Sequence, residues 1–175
     1  MAALLFDCDT GIDDAVTLLY LASLVRAGEA ELVGVGTVHG NIDPHTAALN
    51  SLRVLELAGL HDVPVAVGAA RPMAQDVHYA LDWHGTDGLG DTGLPDPAGS
   101  PVDEAAAARI VRLARSRPGE LTLLATGPLT NLGTALLLDP ELPALVREVV
   151  IMGGAFDHPG NVTTHAEANI WHDPE

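Results

Sequence analysis

Short apolar runs alternate along this chain with longer stretches whose apolar residues recur at helical spacing. Residues 3–6 read as a strand, followed by a turn containing Gly11 and a helix over 13–26. A Val-rich second strand is predicted at 32–38, and a helix at 44–58 carries Ala48, Leu52, Leu55 and Ala58 on one face. A third strand is expected at 63–67. Residues 69–101 are rich in Gly, Asp and Pro and show no period, which in a compact domain marks a lid or binding segment, or else disorder. Helix is predicted again at 102–116, strand at 121–125, helix at 129–138 and strand at 148–152. Residues 161–175 carry a cluster of polar side chains and no further predicted element.

Strand–helix alternation of this kind predicts an α/β fold, a mostly parallel open sheet with helices on both faces. The 175 residues suffice for one core, and no linker or repeat divides them, so a single domain over 1–175 is expected. In such sheets ligands bind beyond the carboxyl ends of the strands. Asp7 and Asp9 follow the first strand, His39 and Asn41 the second, Thr126 the fourth, and Gly153 and Gly154 the fifth. The polar residues therefore collect on one edge of the sheet.

The acidic loop after strand one has the most to explain. Asp7, Asp9, Asp13 and Asp14 place four carboxylates within eight residues, the latter two at a helix start where the dipole favours negative charge. An N-cap accounts for one such Asp, not for four. Two carboxylates about 4 Å apart repel by roughly 4 kcal/mol at an effective dielectric near 20. The cluster thus needs a cation, a shared proton or exposure to water, and an all-oxygen donor set favours Ca²⁺ or Mg²⁺. Alternation along the strand turns Cys8 away from its Asp neighbours, as a small buried hydrophobe.

Charge and composition narrow the partners. The formal charge is −16, which argues against nucleic acid or an anionic membrane as a partner. One Cys cannot form an intramolecular disulfide and fits a reducing, cytoplasmic setting. The N-terminus lacks a basic region ahead of its apolar stretch, so it reads as a strand rather than a signal peptide. No apolar run approaches the roughly 18 residues of a membrane span.

Several motifs in order carry a resemblance. Asp7-Cys8-Asp9-Thr10-Gly11-Ile12-Asp13-Asp14-Ala15 resembles the signature of the inosine–uridine-type nucleoside hydrolases, whose usual form has Pro where this chain has Thr10. Gly36-Thr37-Val38-His39-Gly40-Asn41, Trp83-His84-Gly85-Thr86-Asp87-Gly88-Leu89-Gly90 and Ala125-Thr126-Gly127-Pro128-Leu129-Thr130-Asn131 resemble further family motifs. So do Met152-Gly153-Gly154-Ala155-Phe156, Gly160-Asn161-Val162 and Glu167-Ala168-Asn169. The resemblance implies Ca²⁺-dependent hydrolysis of the N-glycosidic bond of ribonucleosides to ribose and free base, through a transition state with oxocarbenium character. It implies Asp9 as calcium ligand and general base, Asp14 and the Thr126 carbonyl as further ligands, and Asp7 as support for the loop. By the same likeness Asp13, Asn161, Glu167 and Asn169 hold the ribose, Asn41 keeps the Asp9 region in register, and His84 contacts the base. A dimer or tetramer is implied for the full-length form.

Members of that family are longer, and their final portion supplies another calcium-binding Asp and a group that assists the leaving base. The expectation is therefore an incomplete calcium shell, with apolar helix and sheet surface left uncovered. His172-Asp173 matches the place where the family continues into its next helix, and is not expected to replace that ligand. Two alternatives compete. One is a truncated or split homologue that binds Ca²⁺ or ribose weakly without turnover. The other is an aspartate-nucleophile phosphatase, suggested by Asp7-Cys8-Asp9-Thr10 but leaving Asn41, Thr126 and Gly153-Gly154 unexplained.

Overall fold

A computed structural model describes residues 2–175. Strands β1 (Ala2–Cys8), β2 (Ala30–Thr37), β3 (Val65–Val67), β4 (Leu121–Ala125) and β5 (Glu148–Ile151) form one parallel sheet in the order β3-β2-β1-β4-β5. The chain winds outward from β1 through β2 to β3, then returns to the other side of β1 for β4 and β5. The winding direction reverses between β1 and β4, and the crevice beyond their carboxyl ends is where such sheets bind ligands.

The helices cover both faces, as expected. Helices α1 (Ile12–Arg26) and α2 (Pro44–Leu57) pack Leu18, Leu21, Leu52 and Leu55 against Phe6, Cys8 and Val35. On the opposite face α4 (Ala106–Ser116), α5 (Thr130–Leu138) and α6 (Leu142–Leu145) pack Ile110, Leu113, Ala135 and Leu142 against Leu5, Leu121 and Leu123. Phe6 and Cys8 face one core and Leu5 the other, the alternation required of a strand buried on both sides. Fully burying one such Leu or Phe contributes about 1.5–3 kcal/mol. Asp43 caps α2, accepting from the backbone N–H groups of His45 and Thr46, with Pro44 at the first helical position.

Three expectations need correction. The helix predicted from 102 begins at Ala106, because Val102 makes a parallel bridge to Ala66 and its N–H donates to the Val65 carbonyl at 2.8 Å. Within the aperiodic 69–101 segment, α3 (Leu81–His84) forms a single helical turn. The final residues are not devoid of structure: α7 (Ala168–His172) is capped by Glu167, whose side chain accepts from the Asn169 and Ile170 N–H groups. One turn is too short to leave a periodic signal.

Candidate active site

The site grows out of the β1–α1 turn. Gly11 N–H donates to Asp14 Oδ2 at 2.9 Å, the reaching-back half of a capping box that fixes Asp14 at the mouth of α1. Thr10 sits at φ 21°, unusual for a β-branched residue, and is pinned by Oγ1 contacts to Ser51 at 2.7 Å and Cys8 Sγ at 3.3 Å. These constraints turn the chain so that Asp9 and Asp14 are both buried side by side beneath the crevice.

Each carboxylate has a distinct environment. Asp7 Oδ1 accepts from Asn131 Nδ2 at 2.9 Å; the same amide also donates to the Thr37 carbonyl, while Asn131 Oδ1 accepts from Ala69 N–H. Asn131 thus ties α5 to the ends of β1 and β2. Burial raises the Asp7 pKa to about 7, against the lowering effect of the Asn131 bond, with Asp14 adding repulsion. Asp9 Oδ2 accepts from Asn41 N–H at 2.6 Å, and Oδ1 is buried without a partner. Burial, and then the neighbouring Asp14 charge, push its pKa well up. Asp14 is also raised, by burial and then by Asp13, despite hydrogen bonds from Thr126 Oγ1 at 2.5 Å and Gly11 N–H.

Two glycines bring backbone against Asp9. A Cβ at Gly40, whose φ is +153°, would collide with Asp9 Oδ2. One at Gly127 would stand 3.0 Å from Asp9 Oδ1 and 2.9 Å from Val38 Cγ1. The turns after β2 and β4 therefore close on Asp9 from two sides.

Above the carboxylates lies a cavity of about 320 Å³. Asp13, Asn41, His84, Thr126, Asn161, Glu167 and Asn169, all anticipated from sequence, line it. Asp9, Asp14 and Asp7 lie deeper, outside its lining. His84 Nδ1 accepts from Ile12 N–H at 3.2 Å and stands 3.9 Å from Asp13 Oδ1, so α3 folds the long loop down onto the start of α1. In the neutral ring an accepting Nδ1 leaves the proton on Nε2. Asn161 Oδ1 accepts from Ala168 N–H, and Glu167 also accepts from Gly154 N–H, so both brace the α7 wall they contribute to. The Thr126 carbonyl accepts from Asn169 Nδ2 at 2.7 Å.

The pair of Asp9 and Asp14 suits a hard cation: two buried carboxylates, one oxygen unpartnered. Among the described residues no group of three or more His, Cys, Asp or Glu side chains that could hold a metal ion occurs. Asp173 does not join them. It accepts from Thr130 Oγ1, which also meets His39 Nε2 at 2.8 Å, forming a buried link from the β2 turn through α5 to the end of α7.

Sequence reasoning missed this link, the bracing role of Asn131 and the presence of His172 on the cavity wall. Thr130 and Asn131 were visible only as letters within motifs, and His39 only as a polar residue at the end of the second strand. Their partners are 91 positions apart for His39–Thr130 and 124 for Asn131–Asp7. A larger cavity of about 480 Å³, lined by Met73, Leu132, Leu136, Leu137 and Ile170 among others, lies against α5 and is largely apolar.

Comparison with known proteins agrees with the motif order. Residues 4–175 match the family model described as inosine-uridine preferring nucleoside hydrolase. The chain is 42% identical over 173 residues to uridine nucleosidase 1 of Arabidopsis thaliana, covering 98% of this chain and 51% of that protein. It is 40% identical to the pyrimidine-specific ribonucleoside hydrolase RihA of Salmonella newport, strain SL254, covering 98% and 54%. Among solved structures, the plant nucleoside hydrolase PpNRh1 superposes with a TM-score of 0.92 at 37% identity, covering 99% of this chain and 54% of that one. The purine-preferring ribonucleoside hydrolase of Gardnerella vaginalis gives the same TM-score at 33% identity, covering 99% and 55%. The chain thus spans about half the length of the relatives it matches, and over that span the sheet order, the acidic turn and the matched residues make it a member of the inosine-uridine preferring nucleoside hydrolase family.

Proposed function

We propose that this chain provides the metal-binding and ribose-binding part of a Ca²⁺-dependent hydrolase that cleaves the N-glycosidic bond of ribonucleosides to ribose and free base. The observation that carries the reading is the stacking of two layers. A buried carboxylate pair with one orphan oxygen lies beneath a cavity lined by polar side chains suited to a sugar. Ca²⁺ held by Asp9 and Asp14 would neutralise their repulsion and lower the pKa of an adjacent water.

The chain's own groups carry the remaining roles. Asp9 Oδ1 accepts the proton of the attacking water as its oxygen bonds to the anomeric carbon. Asn41 N–H, bonded to Asp9 Oδ2, holds the carboxylate in the orientation that leaves Oδ1 free. Asp13, Asn161, Glu167 and Asn169 anchor the ribose hydroxyls, converting binding into positioning. The bonding pair departs on the base nitrogen, and His84, with Nε2–H as its donor, contacts the base. Asp7 and Asn131 hold the turn from behind.

A ribose-release assay over a panel including uridine and inosine, with and without chelator, tests the reading. Ribose formation that chelator removes and Ca²⁺ restores is expected. Chelator-insensitive hydrolysis would overturn the metal assignment. Ca²⁺-dependent stabilisation of the fold without any ribose release would instead favour a binding homologue without turnover, a reading to which the two-carboxylate shell lends support.

A further inference from the structure

His172 lines the same cavity as the ribose-side residues, yet the acidic loop and the motifs around it give it no task. We infer that His172 contacts the nucleobase and helps set base preference, an inference that rests on the nucleoside reading above.

Its placement argues for the base rather than the sugar. His172 follows Asn169 by three positions on α7 and so lies one turn further along the same helix face. The start of α7 leans on Gly154 and Asn161, the sugar-side wall. Its end is clasped by the long loop, where Gln75 Nε2 donates to the Trp171 and His172 carbonyls at 3.0 and 2.7 Å. That loop continues through Ala80, Trp83 and His84, which line the cavity from the same end. His172 therefore extends the polar wall away from Asn161 and Glu167 and toward the segment that carries His84.

The ring is also held ready. The residue is only 5% exposed, Trp171 meets its ring edge-on with centroids 5.2 Å apart, and His78 packs on Trp171 at 5.0 Å. Nδ1 is sealed from solvent without a partner, although buried ring nitrogens are ordinarily hydrogen-bonded. Burial and the neighbouring His78 lower its pKa despite Glu167, favouring the neutral ring. With Nδ1 sealed, the neutral ring turns Nε2 to the cavity, a single donor or acceptor according to tautomer, which suits one carbonyl or imino group of a base. Fixed geometry of this kind lets a single hydrogen bond discriminate between substrates.

The test is calorimetric titration of the chain with uridine, inosine and D-ribose in the presence of Ca²⁺, comparing wild type with His172→Ala and His172→Gln. His172→Ala is expected to weaken nucleoside binding by about tenfold. It should act unequally on uridine and inosine and leave ribose affinity unchanged, while His172→Gln recovers part of the loss. If His172→Ala does not fold, His172→Phe fills the same space without a polar atom and should show the same selective loss. Unchanged nucleoside affinity in the variants would overturn the inference, as would an equal loss for ribose and nucleosides. Failure of the wild type to bind any nucleoside would overturn the nucleoside reading itself, and this inference with it.

Discussion

Asp9 is the residue on which most of the site turns, because it is buried beside a second carboxylate and one of its oxygens has no partner. Such a group weakens the fold unless a cation or a proton pairs with it. With Asp9 in its proposed role as general base, Asp9→Asn should reduce ribose release by about 10²–10⁴-fold. The same variant should melt higher than wild type in chelator and gain less from added Ca²⁺. Residual activity near wild type, or a lower metal-free melting temperature, would contradict this account. A second consequence concerns pH. Burial, followed by the neighbouring His172, lowers the His39 pKa from 6.5 to about 4. A depressed folded-state value means that the contribution to stability is present above pH 6.5 and is lost as pH falls toward 4. Asp7 behaves oppositely: its value, raised to about 7, makes its contribution complete below pH 3.8 and lost as pH rises through 7. Urea midpoints in chelator, measured from pH 4 to 8, should show a shallower acid limb in His39→Gln and a shallower alkaline limb in Asp7→Asn.

At the scale of elements, the site depends on strand ends and turns approaching one another without side chains between them. Gly127 follows β4 and faces the Asp9 backbone, so Gly127→Ala would force a Cβ to 3.0 Å from Asp9 N and 2.9 Å from Val38 Cγ1. The overpacking should cost about 1–3 kcal/mol. Because Asp9 must shift, ribose release should fall as well. Equilibrium denaturation should show a lower midpoint with an unchanged m-value, and an undisturbed midpoint would mean that the β4 turn has room to spare. The long loop illustrates the limits of pattern at this scale. It shows no period, yet a single turn of helix within it sets His84 against Ile12 N–H. That turn is stabilised by a contact 72 positions away in the chain, which no local window contains.

For the molecule as a whole, the two faces of the sheet are well covered around β1, but β5 is not. All four of its residues are exposed, Val149, Val150 and Ile151 at 37–46%, and it pairs with β4 alone. An apolar edge strand with unpaired backbone groups is a template for association. The 175-residue chain should self-associate with rising concentration despite its charge of −16. Val150→Lys together with Ile151→Lys should suppress this in light scattering with little change in melting temperature. A monomeric wild type at high concentration would show that the edge is harmless.

The amino-acid pattern by itself determined the parallel α/β architecture, the edge of the sheet where the polar residues collect and the family motifs. Strand and helix periods are local properties, and a carboxylate cluster after a strand is visible in eight consecutive residues. Sequence alone also named Asp13, Asn161, Glu167 and Asn169, which line the cavity, because they belong to contiguous motifs. Only the tertiary structure decided which carboxylate is free and which is braced. Asn131 satisfies Asp7, Asn41 satisfies one oxygen of Asp9, and the other Asp9 oxygen is left open. It also decided that Asp173 answers to Thr130 rather than to the acidic loop, and that His172 reaches the cavity. These outcomes follow from hydrogen bonds between residues dozens of positions apart, where burial makes every unpaired polar atom costly and the packing selects which one remains.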